Sequence, residues 1–237
     1  ISDRKKAEEK QQKYKDELKL LSTELINTQE NEKKMLAQEL HDEIGQLLTA
    51  MKINLSSVKN KLPKNYNLKT KQQVDETDKI LDNIISQVHE LSLNLRPELL
   101  DVLGLSATLQ AYCKQFSERI DINVIFKPND TKINLPKEYE INIFRIVQEA
   151  LTNVARHSGA KNVRIDFNVD KNGWLKLAIE DDGRGFNTEN YNNPEEKTVG
   201  IGLLGMRERV NLMKGKMKIT SLKGEGTTIN IQIPLTK

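Results

Sequence analysis

Two consecutive apolar stripes, each advancing by three or four residues, constrain this chain more than any other feature. Leu40, Ile44, Leu47, Met51, Leu55, Val58 and Leu62 make the first. Val74, Thr77, Leu81, Ile84, Val88, Leu91 and Leu95 make the second. Such spacing puts one apolar face on a helix. Leu62-Pro63 stops the first helix, because proline lacks the backbone N–H and its ring clashes with the preceding turn. Lys64-Asn65-Tyr66-Asn67 reads as a polar turn, and Arg96-Pro97 ends the second helix. Two long helices joined this way form an antiparallel hairpin. One partner helix hardly covers such a stripe, so the economical arrangement is a four-helix bundle built by two chains.

Upstream, residues 1–34 are rich in Lys, Glu and Gln, with Leu18, Leu21 and Leu25 at helical spacing. They read as a coiled coil entering from an earlier segment, with a solvated single helix as the alternative. The opening at Ile1 reads as mid-helix, which suggests a piece of a longer protein. Downstream the character changes near 97–104. After a short helix at 105–118, β-type runs appear at 122–126, 163–169, 175–179, 217–221 and 228–233. Helical stretches lie between them at 137–157 and 203–213. This predicts helices layered on a sheet. Asn187–Val199, polar and containing Pro194, reads as a long loop. The expected organisation is α+β. It comprises a coiled-coil linker (1–34), a helical-hairpin dimerisation domain (35–98) and an α/β sandwich domain (99–237).

Composition removes several function classes. Lys and Arg number 37 against 34 Asp and Glu, and the signs are interspersed, which argues against direct nucleic-acid or anionic-membrane binding. A single cysteine, Cys113, excludes an internal disulfide framework and fits a reducing compartment. No apolar run approaches the roughly 18 residues of a membrane span. A cytoplasmic location is expected for this segment.

Five short segments carry possible chemistry. The first is E-L-H-D-E-I-G-Q, residues 39–46. His41 stands beside the apolar stripe, and a solvated imidazole is largely neutral at pH 7 and so nucleophilic. Asp42 could accept a ring proton. Asp42 and Gln46, four apart, would share a face of an α-helix and could orient a water. Gly45 costs about 1 kcal/mol in a helix interior relative to Ala, a cost justified if it clears room above the imidazole. A lone surface histidine is more often simply solvated; Asp42, Gly45 and Gln46 together argue otherwise.

The second is E-A-L-T-N-V-A-R-H-S-G-A, residues 149–160. At helical spacing, Glu149, Asn153, Arg156 and His157 project from one side and Ile146, Ala150 and Val154 from another. A carboxylate and an amide on one face suit a magnesium–phosphate group, since Mg²⁺ takes few protein oxygens. An amphipathic surface helix explains the pattern equally well.

The third is Asp181, Gly183 and Gly185, a D-x-G-x-G at the end of a β-run. A carboxylate there could accept from an exocyclic amine such as that of adenine, or the motif is a hairpin turn. The fourth is Gly200, Gly202, Leu203 and Gly205 at a helix start, where glycine-rich backbone can cradle phosphate. Arg207 and Arg209 could add charge or lie on a solvated face. The fifth, G-E-G-T-T at 224–228, is a tight turn before the last strand.

In order and distance these boxes resemble the nucleotide-binding motifs of the ATPase superfamily shared by gyrase, Hsp90, histidine kinases and MutL. The H-D-E-I-G-Q helix, with L-R-P-E-L-L-D-V-L-G-L at 95–105, is similar to the phosphoacceptor region of sensor histidine kinases. In spelling it resembles the subfamily that includes nitrate and membrane-fluidity sensors. The resemblance covers about residues 30–237.

It implies His41 as the phosphorylated residue, Asp42 as its acidic partner, and Gln46 as the group that positions water for dephosphorylating a response-regulator receiver domain. It implies ATP and Mg²⁺, with Asn153 and Glu149 at the metal and His157 nearby. Asp181 would read adenine. Gly183, Gly185, Gly200, Gly202 and Leu203 would shape the pocket, Thr227 would sit near the base, and 187–199 would form a lid. Asp182 stands where Asn is commoner, and Val199 where a polar residue is common. The opening I-S-D-R-K-K-A-E-E-K-Q-Q resembles the exit linker of a PAS sensor domain. The expected activity is ATP-dependent autophosphorylation and phosphotransfer by a homodimer. The competing readings are an ATP-driven clamp without phosphohistidine and a non-catalytic scaffold.

Overall fold

The computed structural model describes residues 2–63, 67–97, 99–128, 135–187 and 201–235. It divides into two compact units, Ile1–Glu98 and Leu99–Lys237.

In the first unit, helix α1 (Ser2–Glu39) runs without a break into a π-helical turn (Leu40–Gly45) and on into α2 (Gln46–Lys61). The helix ends where Leu62 becomes extended ahead of Pro63. Helix α3 (Leu68–Leu95) opens on Asn67, whose Oδ1 accepts the Lys69 N–H at 2.9 Å and so satisfies one orphan donor. It closes at Arg96, extended before Pro97.

Ion pairs fix the antiparallel register of α2 and α3. Lys59 meets Asp75 at 2.8 Å, and Lys52 meets Asp78 and Asp82, each at 2.7 Å. The stripes divide between two seams. Leu48, Leu55 and Leu62 face inward with Val74, Leu81, Val88 and Leu95, which step by sevens as a coiled-coil seam does. Leu47, Met51 and Val58 of α2 and Ile80, Ile84 and Leu91 of α3 stay exposed, Leu47 by 66%. Leu48 and Ile80 lie outside the stripes read from the sequence; of the stripe residues themselves, the hairpin covers only part, and Leu47, Met51, Val58, Ile84 and Leu91 stay exposed.

In the second unit, α4 (Leu99–Ile120) is broken at Gly104, where φ is +77°. The break separates a first turn from the helix that the sequence predicts at 105–118. Strand β1 (Asn123–Lys127) precedes α5 (Lys137–Asn153), which passes into a second π-helical turn (Val154–Ser158). Then come β2 (Asn162–Val169), β3 (Trp174–Asp181), α6 (Ile201–Leu212), β4 (Lys216–Leu222) and β5 (Gly226–Pro234). The sheet order is β1-β2-β3-β5-β4, with β1 parallel to β2 and the other pairs antiparallel.

Burial alternates along the strands, as a one-faced sheet requires. Ile165, Leu175, Leu177, Ile231 and Ile233 are buried, whereas Arg164, Lys176, Asn230 and Gln232 are exposed. The buried face packs in one core with Ile143, Ile146, Val147 and Ala150 of α5, Leu109 and Phe116 of α4, and Met206 and Val210 of α6. Cys113 lies in this core, where burial pushes its thiol up to about 12, so it is an inert packing residue.

Candidate functional site

The second unit gathers its polar motifs where β3 ends, β5 begins and α5 finishes. Asp181 is the last residue of β3 and pairs in register with Thr227 of β5. Its Oδ1 accepts the Gly183 N–H at 2.9 Å. Burial raises the Asp181 carboxyl above its ordinary range, and the charge of neighbouring Asp182 adds to this; hydrogen bonds from Gly183 and Thr227 oppose the rise. A half-buried carboxylate is thus held here by a backbone turn and a strand partner.

Two glycines make the turn possible. A Cβ on Gly183 would sit 2.6 Å from the Ser158 side chain and 2.7 Å from the Ser158 carbonyl. Gly185 has φ +57°, and a Cβ there would strike the Leu222 carbonyl. The Arg184 N–H donates to the Ser158 carbonyl at 2.8 Å. The D-x-G-x-G turn is therefore stitched to the end of α5, the element that carries Glu149 and Asn153.

Ile146 and Ala150 of α5 and Val154 at the start of the π turn are buried against the core, while Glu149 and Asn153 are half-buried. The Asn153 Nδ2 atom is buried and has no hydrogen-bond partner among the described residues. An orphaned buried amide costs about 1–3 kcal/mol, so a ligand that satisfied it would recover that penalty. Arg156 and His157 are exposed in the π-helical turn. The α-helical spacing that aligns them with Asn153 in sequence therefore does not carry through, because hydrogen bonding there runs i to i+5.

Gly202 and Leu203 open α6, and a Cβ on Gly202 would strike the Glu149 carboxylate. The glycine lets the helix start close over α5. Gly200 and residues 188–199 of the expected lid lie outside the described residues. Arg209 is a strut, not a phosphate ligand: its Nη1 donates to Asn142 Oδ1 on α5 at 2.9 Å.

Of two further residues that matter here, Ser221 carries no signal in the sequence and Asp182 shows there only as a departure from Asn. Ser221, 3% exposed on β4, accepts the Phe186 N–H at 2.9 Å, donates to the Gly226 carbonyl at 2.8 Å and lies 3.0 Å from the Thr227 hydroxyl. It thus packs its hydroxyl against Thr227, the residue paired with Asp181. Asp182 accepts the Lys161 and Asn162 backbone N–H groups at 2.8 and 2.9 Å and the Asn162 Nδ2 at 2.8 Å. Those bonds hold its carboxyl below the ordinary range. The departure from Asn at 182 thus anchors the start of β2.

In the first unit, His41, Gly45 and Gln46 line an open groove of about 330 Å³ whose far wall is α3. Asp42 is exposed and does not line it. A Cβ on Gly45 would meet nothing nearer than the Leu40 carbonyl at 3.6 Å, so the space there is open. Thr49 Oγ1 donates to the Gly45 carbonyl at 2.8 Å, which occupies a backbone acceptor at the end of the π turn.

Comparison with known proteins defines the class. Residues 32–100 match the family described as histidine kinase. Residues 138–237 match the histidine kinase-, DNA gyrase B-, and HSP90-like ATPase family. With a helical hairpin followed by this ATPase fold on one chain, the protein belongs to the histidine kinases. Its relatives include the signal transduction histidine-protein kinase/phosphatase DegS of Brevibacillus brevis, 33% identical over 213 residues. That match covers 90% of this chain and 54% of the relative. The oxygen sensor histidine kinase NreB of Staphylococcus carnosus is 32% identical, over 89% of this chain and 58% of the relative. The chain therefore spans about half the length of the curated relatives it matches. In fold it is similar to the histidine kinase domain of the Erythrobacter litoralis EL346 blue-light activated histidine kinase. That likeness has a TM-score of 0.51 and 22% identity, covering 80% of this chain and 94% of the other.

Proposed function

We propose that this chain binds Mg-ATP at the Asp181–Asn153 site, phosphorylates His41 and passes the phosphoryl group to an aspartate of a response-regulator receiver domain. The observation that carries the reading is the buried Asn153 Nδ2 donor, without a partner among the described residues and suited to a phosphate oxygen, on the helix whose π-helical continuation is stitched to the Asp181 turn. Asp181 accepts the adenine amine, and Thr227 and the two glycines shape the pocket around the base. Asn153 and Glu149 offer hard oxygens suited to Mg²⁺, which would offset charge on the transferring phosphate. Among the described residues no cluster of three or more His, Cys, Asp or Glu could hold a metal by itself. A magnesium ion shared with phosphate oxygens suits such a site.

His41 attacks the γ-phosphorus in line. An N–P bond forms, the bond to the bridging oxygen breaks, and ADP leaves with the electron pair. The ring proton goes to Asp42. Gln46, in the groove with His41, orients water for the opposite task of dephosphorylating the regulator. The kinase/phosphatase description of the DegS relative supports this second activity. The exposed Leu47, Met51, Val58, Ile80, Ile84 and Leu91 support a homodimeric four-helix bundle, since so much contiguous apolar surface calls for a partner. Glu149, Asn153 and His157 are taken as nucleotide-side residues with Gly200, Gly202 and Leu203. We assign an upstream sensor, PAS-like in its exit linker, to the segment before α1, and a cytoplasmic setting to this part of the protein. No helix among the described residues is long and apolar enough to cross a membrane.

The test is the chemistry of the phosphate left on the chain after incubation with γ-labelled ATP and Mg²⁺. Acid-labile, base-stable label supports phosphohistidine. ATP turnover with no protein-bound label would favour the clamp reading instead.

A further inference from the structure

The groove beside His41 has a second imidazole on its opposite wall. His89 of α3 lines it together with His41, Gln46 and Ser92. Most of the remaining lining is apolar, including Leu48, Ile85 and Val88. The Thr49 hydroxyl is committed to the Gly45 carbonyl. Among the described residues, His89 is the only lining side chain other than His41 that can carry positive charge.

A phosphoryl group on His41 brings negative charge into a groove walled largely by carbon. The groove is open, so water reaches that charge, and a donor facing it from the opposite wall adds a charge-assisted hydrogen bond. An imidazole donates a hydrogen bond from its N–H in either protonation state, and the bond is stronger when the ring is charged. We infer that His89 is a positioning residue for the phosphorylated state: its ring N–H pairs with a phosphoryl oxygen on His41 and prolongs the life of the phosphohistidine. The relation is between α3 and the π turn of the same hairpin, so it needs no second chain. It rests on the phosphoacceptor role proposed for His41.

The register supports the pairing. Lys59 with Asp75 and Lys52 with Asp78 and Asp82 fix α3 antiparallel to α2. Continued about two turns beyond the Lys52–Asp82 pair, that register brings the His89 turn opposite the π turn that carries His41, where the groove lies. His89 is exposed and belongs to neither the inner seam nor the outward apolar face, so a packing role does not explain its place.

The experiment phosphorylates the full chain with labelled ATP, removes nucleotide, and follows the half-life of the phosphohistidine at neutral pH. Wild type is compared with His89→Ala and His89→Arg, and thermal melts and ATP affinity serve as controls. Loss of a charge-assisted hydrogen bond should shorten the half-life in His89→Ala about tenfold or more, with ATP affinity unchanged. His89→Arg should restore it to near the wild-type value, since it keeps N–H donors and charge. Equal half-lives for wild type and His89→Ala would overturn the inference, as would equal damage by both substitutions. Should His89→Ala fail to fold, His89→Leu, of similar size and without a donor, carries the same comparison. A wild-type chain that takes no label would instead sink the phosphoacceptor reading itself.

Discussion

His41 and Gln46 line one groove although they stand five residues apart, a separation that an α-helix does not bring onto one face. The π-helical turn at Leu40–Gly45 does this, because its hydrogen bonds close from i to i+5. Asp42, four residues before Gln46, is left outside the groove. The turn thus separates two tasks that the D-x-x-x-Q spelling runs together. Gln46→Ala should leave labelling of His41 intact and cut dephosphorylation of a phosphorylated receiver domain about a hundredfold, the effect of a misplaced water. Asp42→Asn should instead slow labelling about a hundredfold, by loss of the proton acceptor. Single-turnover assays of the two reactions read both effects.

Asp181 lowers the stability of the nucleotide-free fold. Its carboxyl is raised by burial, so the folded chain binds that proton more tightly than the unfolded chain. Stability from this group is present at acid pH and is lost as pH rises through the ordinary carboxylate value to the raised one. Asp181→Asn removes that loss and keeps an oxygen to accept from Gly183. The variant should melt at or above the wild-type temperature at neutral pH while ATP binding disappears. Calorimetric melts paired with binding titrations measure the two together.

Gly202 and Gly205 stand three residues apart on α6 and should respond in opposite ways. A Cβ at Gly202 would displace the Glu149 carboxylate, a move that is cheap for the fold because the obstructing atoms end a flexible side chain. Gly202→Ala should fold and lose Mg-ATP affinity. A Cβ at Gly205 meets nothing within 4 Å. Gly205→Ala should keep ATP affinity and gain about 1 kcal/mol of stability from helix propensity. Equal ATP affinities in the two variants would contradict the site described.

The hairpin should weaken in acid. Lys59 holds Asp75, and Lys52 holds Asp78, below the ordinary carboxylate range through side-chain hydrogen bonds. A lowered folded value means the contribution is complete above roughly pH 4 and is lost as pH falls through the folded values. Lys52 and Lys59 are correspondingly raised, so their contribution persists until pH climbs through the lysine range. These pairs keep part of their surface in water, so salt should screen them as well. Hydrogen exchange along residues 68–95, compared at neutral and acid pH and at low and high salt, reports both effects.

Much of this architecture is legible in the sequence because proline and heptad spacing act locally. Pro63 and Pro97 mark the hairpin ends, and alternation marks β2 and β3. The π turns are not legible, since Leu40, Ile44 and Leu47 fit an α pattern equally well and the pitch is set by how α1 and α2 meet α3. Ser221 and Asp182 act through partners 35 and 20 residues away, which only sheet pairing brings near. The division of each stripe into inner and outer seams likewise follows from how α2 and α3 pack. Asp181, Gly183 and Asn153 were readable as chemistry because their motifs are spelled contiguously, but the orphaned state of the Asn153 amide becomes visible only once the fold closes around it.

The central claim is that phosphate from ATP bound at Asp181 and Asn153 ends on His41. The most direct measurement compares His41→Gln with wild type for Mg-ATP affinity and for acid-labile label after exposure to γ-labelled ATP. The account predicts that His41→Gln binds ATP as tightly as wild type and takes no label. Label at wild-type levels on His41→Gln would contradict it.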